Sequence, residues 1–167
     1  MSVREILLLG NEILYNPSKE ITKDEIRDIN CIANDLHDSL MDFRKRYGYG
    51  RAIAAPQINE LFRIIYMNIN KNSFVLINPK IEFYDDEEFE LWDDCMSFPG
   101  LEVKILRHKK CKVFYKNQDW VDCVLELEGD LAELVQHEYD HLDGILAVQR
   151  AVDNKSFRIN KSKIDCL

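Results

Sequence analysis

No stretch of this chain is apolar for long enough to span a membrane or to form the core of a secretion signal. The longest apolar run near its start is Ile6-Leu7-Leu8-Leu9. Positive charge is not in excess either: 22 Lys and Arg stand against 30 Asp and Glu, a net charge of -8. That argues against a general grip on nucleic acid, which calls for a basic patch. The five cysteines are an odd number without paired spacing, so they do not read as a disulfide framework. Cys31, Cys111, Cys123 and Cys166 read as buried or incidental thiols. Neither a repeat nor a linker divides the chain. Together these absences describe a cytoplasmic protein without membrane or specific nucleic-acid partners, a single domain over residues 1–167 with a polar C-terminal tail over residues 153–167.

What is present is ordinary globular composition, 46% hydrophobic and 31% charged over 167 residues, enough to bury a core. Ile29, Ile32, Leu36, Leu40 and Phe43 recur at steps of three or four, predicting an amphipathic helix from about Lys23 to Tyr47 that Gly48 and Gly50 end. Strands are predicted at Ile64–Met67, Phe74–Ile77, Lys80–Tyr84, Val103–Leu106, Lys112–Tyr115 and Val121–Leu127. The stretch from Trp92 to Gly100 reads as turn-rich, and Asp85 to Glu88 as a solvated turn. A second helix is predicted from about Leu131 to Leu142, with Gly144 placed to stop it. Strands in succession between two helices, without βαβ alternation, indicate an α+β fold, with antiparallel β-sheets around a C-terminal metal-binding helix.

Only four histidines occur, and two of them stand four apart in Gln136-His137-Glu138-Tyr139-Asp140-His141. On a helix, about 100° per residue puts His137 and His141 on one face, where two imidazoles can share a metal ion. Glu138 falls on the flank of that pair, within reach of a water on the metal. Short patterns of this kind also match by chance, with both histidines satisfied in a core. A third ligand decides the class. No histidine follows His141, which removes the metzincin pattern, and the remaining tail is basic and polar rather than a second ligand-bearing helix. The ligand therefore comes from upstream. The thiolate of Cys95 completes a three-ligand site with one open position, while His37 and His108 remain as alternatives. His37 is expected on the polar side of the first helix and His108 in a basic turn, both exposed.

Three segments in order resemble the peptide deformylase family: Gly50-Arg51-Ala52-Ile53-Ala54-Ala55-Pro56-Gln57, then Asp93-Asp94-Cys95-Met96-Ser97, then Gln136-His137-Glu138-Tyr139-Asp140-His141-Leu142-Asp143-Gly144. The resemblance runs from about Ile6 to Val152. It implies a metal-dependent amide hydrolase that removes the N-formyl group from the N-terminal methionine of newly made polypeptides and releases formate. Cys95, His137 and His141 would be the metal ligands and Glu138 the proton carrier. The side-chain amide of Gln57 and the backbone N–H of Met96 would stabilise the oxyanion. One divalent ion is implied, with Fe2+ expected and Zn2+, Ni2+ or Co2+ able to take the same ligands. The implied partners are formylated peptides and nascent chains, and with them a transient ribosome contact.

Several roles stay open at this level. Asp140 reads either as the acceptor that orients a ligating imidazole or as an acid on the helix surface. Gln136 reads as a brace for the metal site or a cap at its edge, and Arg107 as the partner of an internal acid such as Asp93. Four residues are expected to contact substrate: Gly50, Arg51, Ala52 and Asp94. Three of them depart from the family pattern. Arg51 replaces a small apolar residue, Ala52 the second glycine, and Asp94 a glycine. Asp130 and Glu133 likewise stand where many relatives are apolar or basic. Arg51 and Asp94 are expected on opposite walls of the cleft, where their charges could pair. These departures keep alternatives open: a divergent hydrolase of another formylated or acylated amine, a His-Glu-x-x-His metallopeptidase, or a non-catalytic binding module.

Overall fold

The computed structural model describes residues 2–164, without the side chains of residues 26–28. Among these residues no helix is long and apolar enough to cross a membrane. Helix α1 spans Ile26–Tyr47, preceded by a short 3-10 turn, Lys23–Glu25. Its apolar stripe, Ile29, Ile32, Ala33, Leu36, Leu40 and Phe43, is buried as the periodicity requires. Gly48 ends it in the left-handed region at φ 78°, donating its N–H to Arg44 O at 2.9 Å.

Strands β1 (Ala52–Ala54), β2 (Ile64–Ile69), β3 (Asn72–Phe83), β6 (Lys110–Lys116) and β7 (Asp122–Glu128) form one antiparallel sheet in the order β1-β2-β3-β6-β7. β4 (Glu88–Asp94), β5 (Leu101–His108) and β8 (Phe157–Ile159) form a second. Alternation along β1 to β3 sends Ile53, Ile64, Tyr66, Val75 and Ile77 towards α1. The intervening Ala52, Ala54, Ile65, Met67 and Leu76 face the opposite way, against Ala132, Leu134, Val135 and Leu142 of the second helix, α2 (Asp130–Leu142). The larger sheet is thus buried on both faces where it runs between the helices.

The segments 74–77 and 80–84, expected as two strands, belong to one strand through residue 83. Its register to β6 shifts between Ile77 and Lys80. Pro79 cannot donate to a ladder, and Asn78, at φ 49°, turns its side chain to Ile21, accepting from its N–H at 2.9 Å and donating to its carbonyl at 2.8 Å. β4 occupies sequence that read as turn as far as Asp94, and only the part from Met96 to Gly100 is turn. The polar tail contributes β8, which pairs with Leu101 to Val103 of β5. Cys31 is exposed, Cys111 buried and Cys123 half-buried, while Cys166 lies outside the described residues. Burial alone pushes the Cys111 thiol up to about 11.

Gly144 fixes the exit from α2. It adopts φ 71°, and a Cβ there would lie 2.5 Å from Tyr15 O, against the N-terminal segment whose Ser18 N–H caps Leu142 O at 2.8 Å. Gly144→Ala meets both a backbone and a steric penalty. It is expected to destabilise the fold by about 1 to 3 kcal/mol, read as a lower urea midpoint with an unchanged m-value.

Candidate metal centre and its cavity

Helix α2 is buried nearly all round although half of it is polar: Glu133, Gln136, His137, Glu138, Asp140 and His141 are all buried. Buried polar groups need partners. Gln136 finds its partners outside the centre, and neither bracing the metal site nor capping its edge describes it. Its amide pairs with the end of β5 as a strand would, accepting from His108 N–H at 3.0 Å and donating to His108 O at 2.8 Å. It also donates to Ala132 O at 2.9 Å.

The structure brings Cys95, His137 and His141 together. One potential ligand atom from each lies within 4.8 Å of the others, and all three residues are buried. Cys95 Sγ is 3.3 Å from His141 Nε2, and the two imidazoles meet edge-on with centroids 5.0 Å apart. The other nitrogen of His137, Nδ1, is 2.9 Å from Asp93, whose carboxylate also takes Arg107 Nη2 at 3.2 Å. His141 Nδ1 is buried without a partner among the described residues. A thiolate and two imidazoles, with one imidazole fixed from behind by a carboxylate, suit iron, zinc and related divalent ions.

Electrostatics differ sharply between neighbouring groups. Burial opposes a charge on His137, but Asp93 and Cys95 outweigh it and hold the imidazole well above its ordinary value. Burial, reinforced by His137, pushes His141 well below. Asp93 is also buried, yet His137 and Arg107 keep its carboxyl below the usual range. Glu138 is pushed by burial up to about 7, and its Oε2 has no hydrogen-bond partner among the described residues.

Gln57 arrives from the turn after β1. Its Oε1 accepts from Ala54 N–H at 2.9 Å, which fixes the amide so that Nε2 faces Ser97 Oγ at 3.1 Å and Cys95 Sγ at 3.5 Å. A cavity of about 460 Å³ opens over these groups. Gly50, Arg51, Ala52, Gln57, Asp94, Cys95, Met96, His137 and Glu138 all border it, so every residue expected at the site except His141 lines one space.

Other expectations are corrected. Arg51 and Asp94 do not pair. Arg51 enters β1 beside the first turn of α2 and meets Asp130 at 2.5 Å and Glu133 at 3.7 Å, while Asp94 is held by Lys163 at 2.6 Å. Asp140 orients no imidazole and is not at the surface. It is buried, taking Arg107 on one side and Arg150 on the other, the latter through two contacts of 2.6 Å. His37 is half-buried, its Nδ1 2.6 Å from Tyr66 Oη, and His108 ends β5 stacked on Phe83. Neither joins the group of Cys95, His137 and His141, which removes both as the third candidate ligand. Arg107 does pair with Asp93. What the sequence missed is Asp93 as the acceptor for His137, Ser97 as the partner of Gln57, and Arg150. Only the position of Asp93 two residues before Cys95 hinted at the first.

A family model described as polypeptide deformylase matches residues 3–157. The chain belongs to the polypeptide deformylase family. A peptide deformylase of Dictyoglomus thermophilum is 34% identical over 90% of this chain and 94% of its own length, and one of Carboxydothermus hydrogenoformans is 35% identical over 90% and 95%. Among solved structures, the enzyme from Thermotoga maritima superposes with a TM-score of 0.83 at 29% identity, covering 92% of this chain and all of that one. The Ehrlichia chaffeensis enzyme in complex with actinonin gives 0.84 at 27%, covering 93% and 92%. Family membership makes the chain an enzyme, which sets aside the binding-module and metallopeptidase alternatives.

Proposed function

We propose that this chain removes the N-formyl group from the N-terminal methionine of new polypeptides through Glu138, Gln57 and Met96, with Cys95, His137 and His141 holding one divalent ion. One observation carries the assignment. Glu138 is a buried carboxyl with an unpartnered oxygen, beside the Cys/His/His group and bordering the same cavity as Gln57. An ion held there would supply Lewis acidity, lowering the pKa of a water and polarising the formyl carbonyl. Glu138 takes the proton from the attacking water and later delivers it to the amine nitrogen as the C–N bond breaks, leaving formate and a free N-terminus. Charge that develops on the formyl oxygen is met by Gln57 Nε2 and the Met96 N–H. Gln57 is suited to this because its other end is already spent on Ala54, so no rotation is needed when the substrate arrives. Fe2+ is the proposed native ion, with Zn2+, Ni2+ and Co2+ compatible with the same donors. The proposed setting is the cytoplasm, with nascent chains as substrates and a transient ribosome contact.

The test is anaerobic formate release from formylated and unformylated peptides, with iron- and zinc-loaded protein in parallel. Release is expected only from formylated peptides and should cease after chelation. No formate with either metal would overturn the assignment. Returning Zn2+ to chelated protein at about 100 times its Kd should add about 2.7 kcal/mol to unfolding stability, visible as a raised melting temperature.

A further inference from the structure

Arg44, Arg51 and Lys163 border the cavity beside the metal ligands. Two of these cations serve the frame. Arg44 donates to Gly50 O at 3.0 and 2.7 Å and to Asn68 O at 3.0 Å, and Arg51 meets the two acids of the first turn of α2. Lys163 comes from elsewhere. It belongs to the polar tail, past residue 157, where the match to the family ends. That tail is fixed against the turn that follows Cys95. Beyond β8, Asn160 N–H donates to Gly100 O at 2.8 Å, and Ile164 occupies the space that a Cβ on Gly100 would need. Arg158 and Asn160 hold Glu102 of β5 at 2.6 and 2.8 Å.

This anchoring carries the Lys163 ammonium over the Tyr49 ring, 4.9 Å from its centroid, and to the Asp94 carboxylate at 2.6 Å. Burial opposes a charge on Lys163, but Asp94 and Glu102 outweigh it and hold the amine above its ordinary value. Glu102, which Lys163 reaches at 3.2 Å, has Arg158 as well, whereas Lys163 is the one cation paired with Asp94 among the described residues. Asp94 immediately precedes Cys95 and borders the same cavity as Met96 and Gln57, the groups proposed to meet the charge on the formyl oxygen. A bare carboxylate at that place opposes the growth of negative charge nearby, and the more so where water is scarce.

We infer that Lys163 is a positioning residue for this reaction: it neutralises Asp94 and holds that carboxylate against the tail, so that no uncompensated negative charge faces the oxygen that becomes anionic. The inference rests on the deformylase reading above and concerns how the tail supports it. An acid standing where the family pattern has a glycine is thereby matched by a cation from outside the matched span. The effect is one of charge and not of cohesion. With side chains 22% and 34% exposed, the Lys163–Asp94 pair adds little to the stability of the fold.

The experiment is a double-mutant cycle on the metal-loaded, full-length protein: Lys163→Met, Asp94→Asn and the two together, assayed for formate release from N-formyl-Met-Ala-Ser amide, a substrate without charge of its own. With Asp94 present, Lys163→Met is expected to lower kcat/KM about tenfold at an unchanged melting temperature, and Lys163→Arg to retain most of the activity. Whatever Asp94→Asn does by itself, Lys163→Met in that background is expected to cost less than about twofold, because no charge is left to uncover. Titration of formate into the zinc-loaded proteins should repeat the pattern in Kd, a readout that needs no turnover. Equal losses in both backgrounds, or no loss in either, would overturn the inference and leave the deformylase reading intact. A wild type that released no formate would overturn that reading, and the formate titration would then decide the coupling of Lys163 to Asp94 by itself.

Discussion

Glu138→Gln is expected to lower kcat for formate release by about 10²- to 10⁴-fold while KM, metal content and melting temperature stay near wild type. The substitution keeps the shape and one hydrogen-bond acceptor but removes the capacity to take a proton. Nothing in the fold depends on that capacity, since Glu138 Oε2 is buried without a partner and so contributes no hydrogen bond to lose. The glutamine even relieves the desolvation of a carboxylate in a buried position, so stability should hold or rise. A variant retaining more than a tenth of wild-type kcat would show that another group carries the proton. Asp93 could not easily do so, because His137 and Arg107 keep its carboxyl ionised and occupied.

The largest loss of stability is expected from Arg107→Met. Arg107 is 3% exposed and lies between two buried carboxylates, Asp93 and Asp140. Removing one member of a buried ionic group strands the charges that remain, at about 3 to 5 kcal/mol. Arg150 continues to serve Asp140, so most of the deficit falls on Asp93 and, through it, on the orientation of His137. Metal affinity should therefore fall by about 10- to 100-fold alongside the stability. Urea unfolding of metal-free protein separates the two effects, and isothermal metal titration measures the second. Equal stability of the variant and wild type without metal would show that the ionic chain is neutral in the fold. Adding Asp93→Asn to Arg107→Met should recover part of the stability loss, because the stranded carboxylate is then neutral.

The parts of the molecule legible in the sequence are those whose signal is local. Helix α1 was readable because its apolar stripe faces one way from Ile29 to Phe43, about four turns, and α2 because His137 and His141 share its spacing. Cys95 emerged once downstream ligands were absent. The rest depends on contacts that sequence does not order. β3 reads as two strands in the sequence, whereas the sheet carries it through Pro79 with a register shift at which Asn78 bonds Ile21. β4 was hidden by its acids, which are tolerable because β4 is an edge strand whose partner β5 brings Lys104 and Arg107 alongside. β8 is three exposed residues that are strand only because β5 offers them an edge. Ion pairing was the least legible. Arg51 had Asp94, Asp130 and Glu133 as available partners, and it meets the two acids of the first turn of α2.

The five-stranded and three-stranded sheets share no strand. Cys95 follows the last residue of β4 in the smaller one, whereas His137 and His141 ride on the helix that packs against the larger. An ion held by all three, as proposed, would act as a cross-link, closing the chain between residues 95 and 137 much as a disulfide would, where the described cysteines show no such pairing. Loop closure of that length restricts the unfolded chain, and the restraint is reversible, set by metal supply rather than by redox chemistry. Cohesion of the two halves and reactivity of the centre would then be governed by the same three bonds.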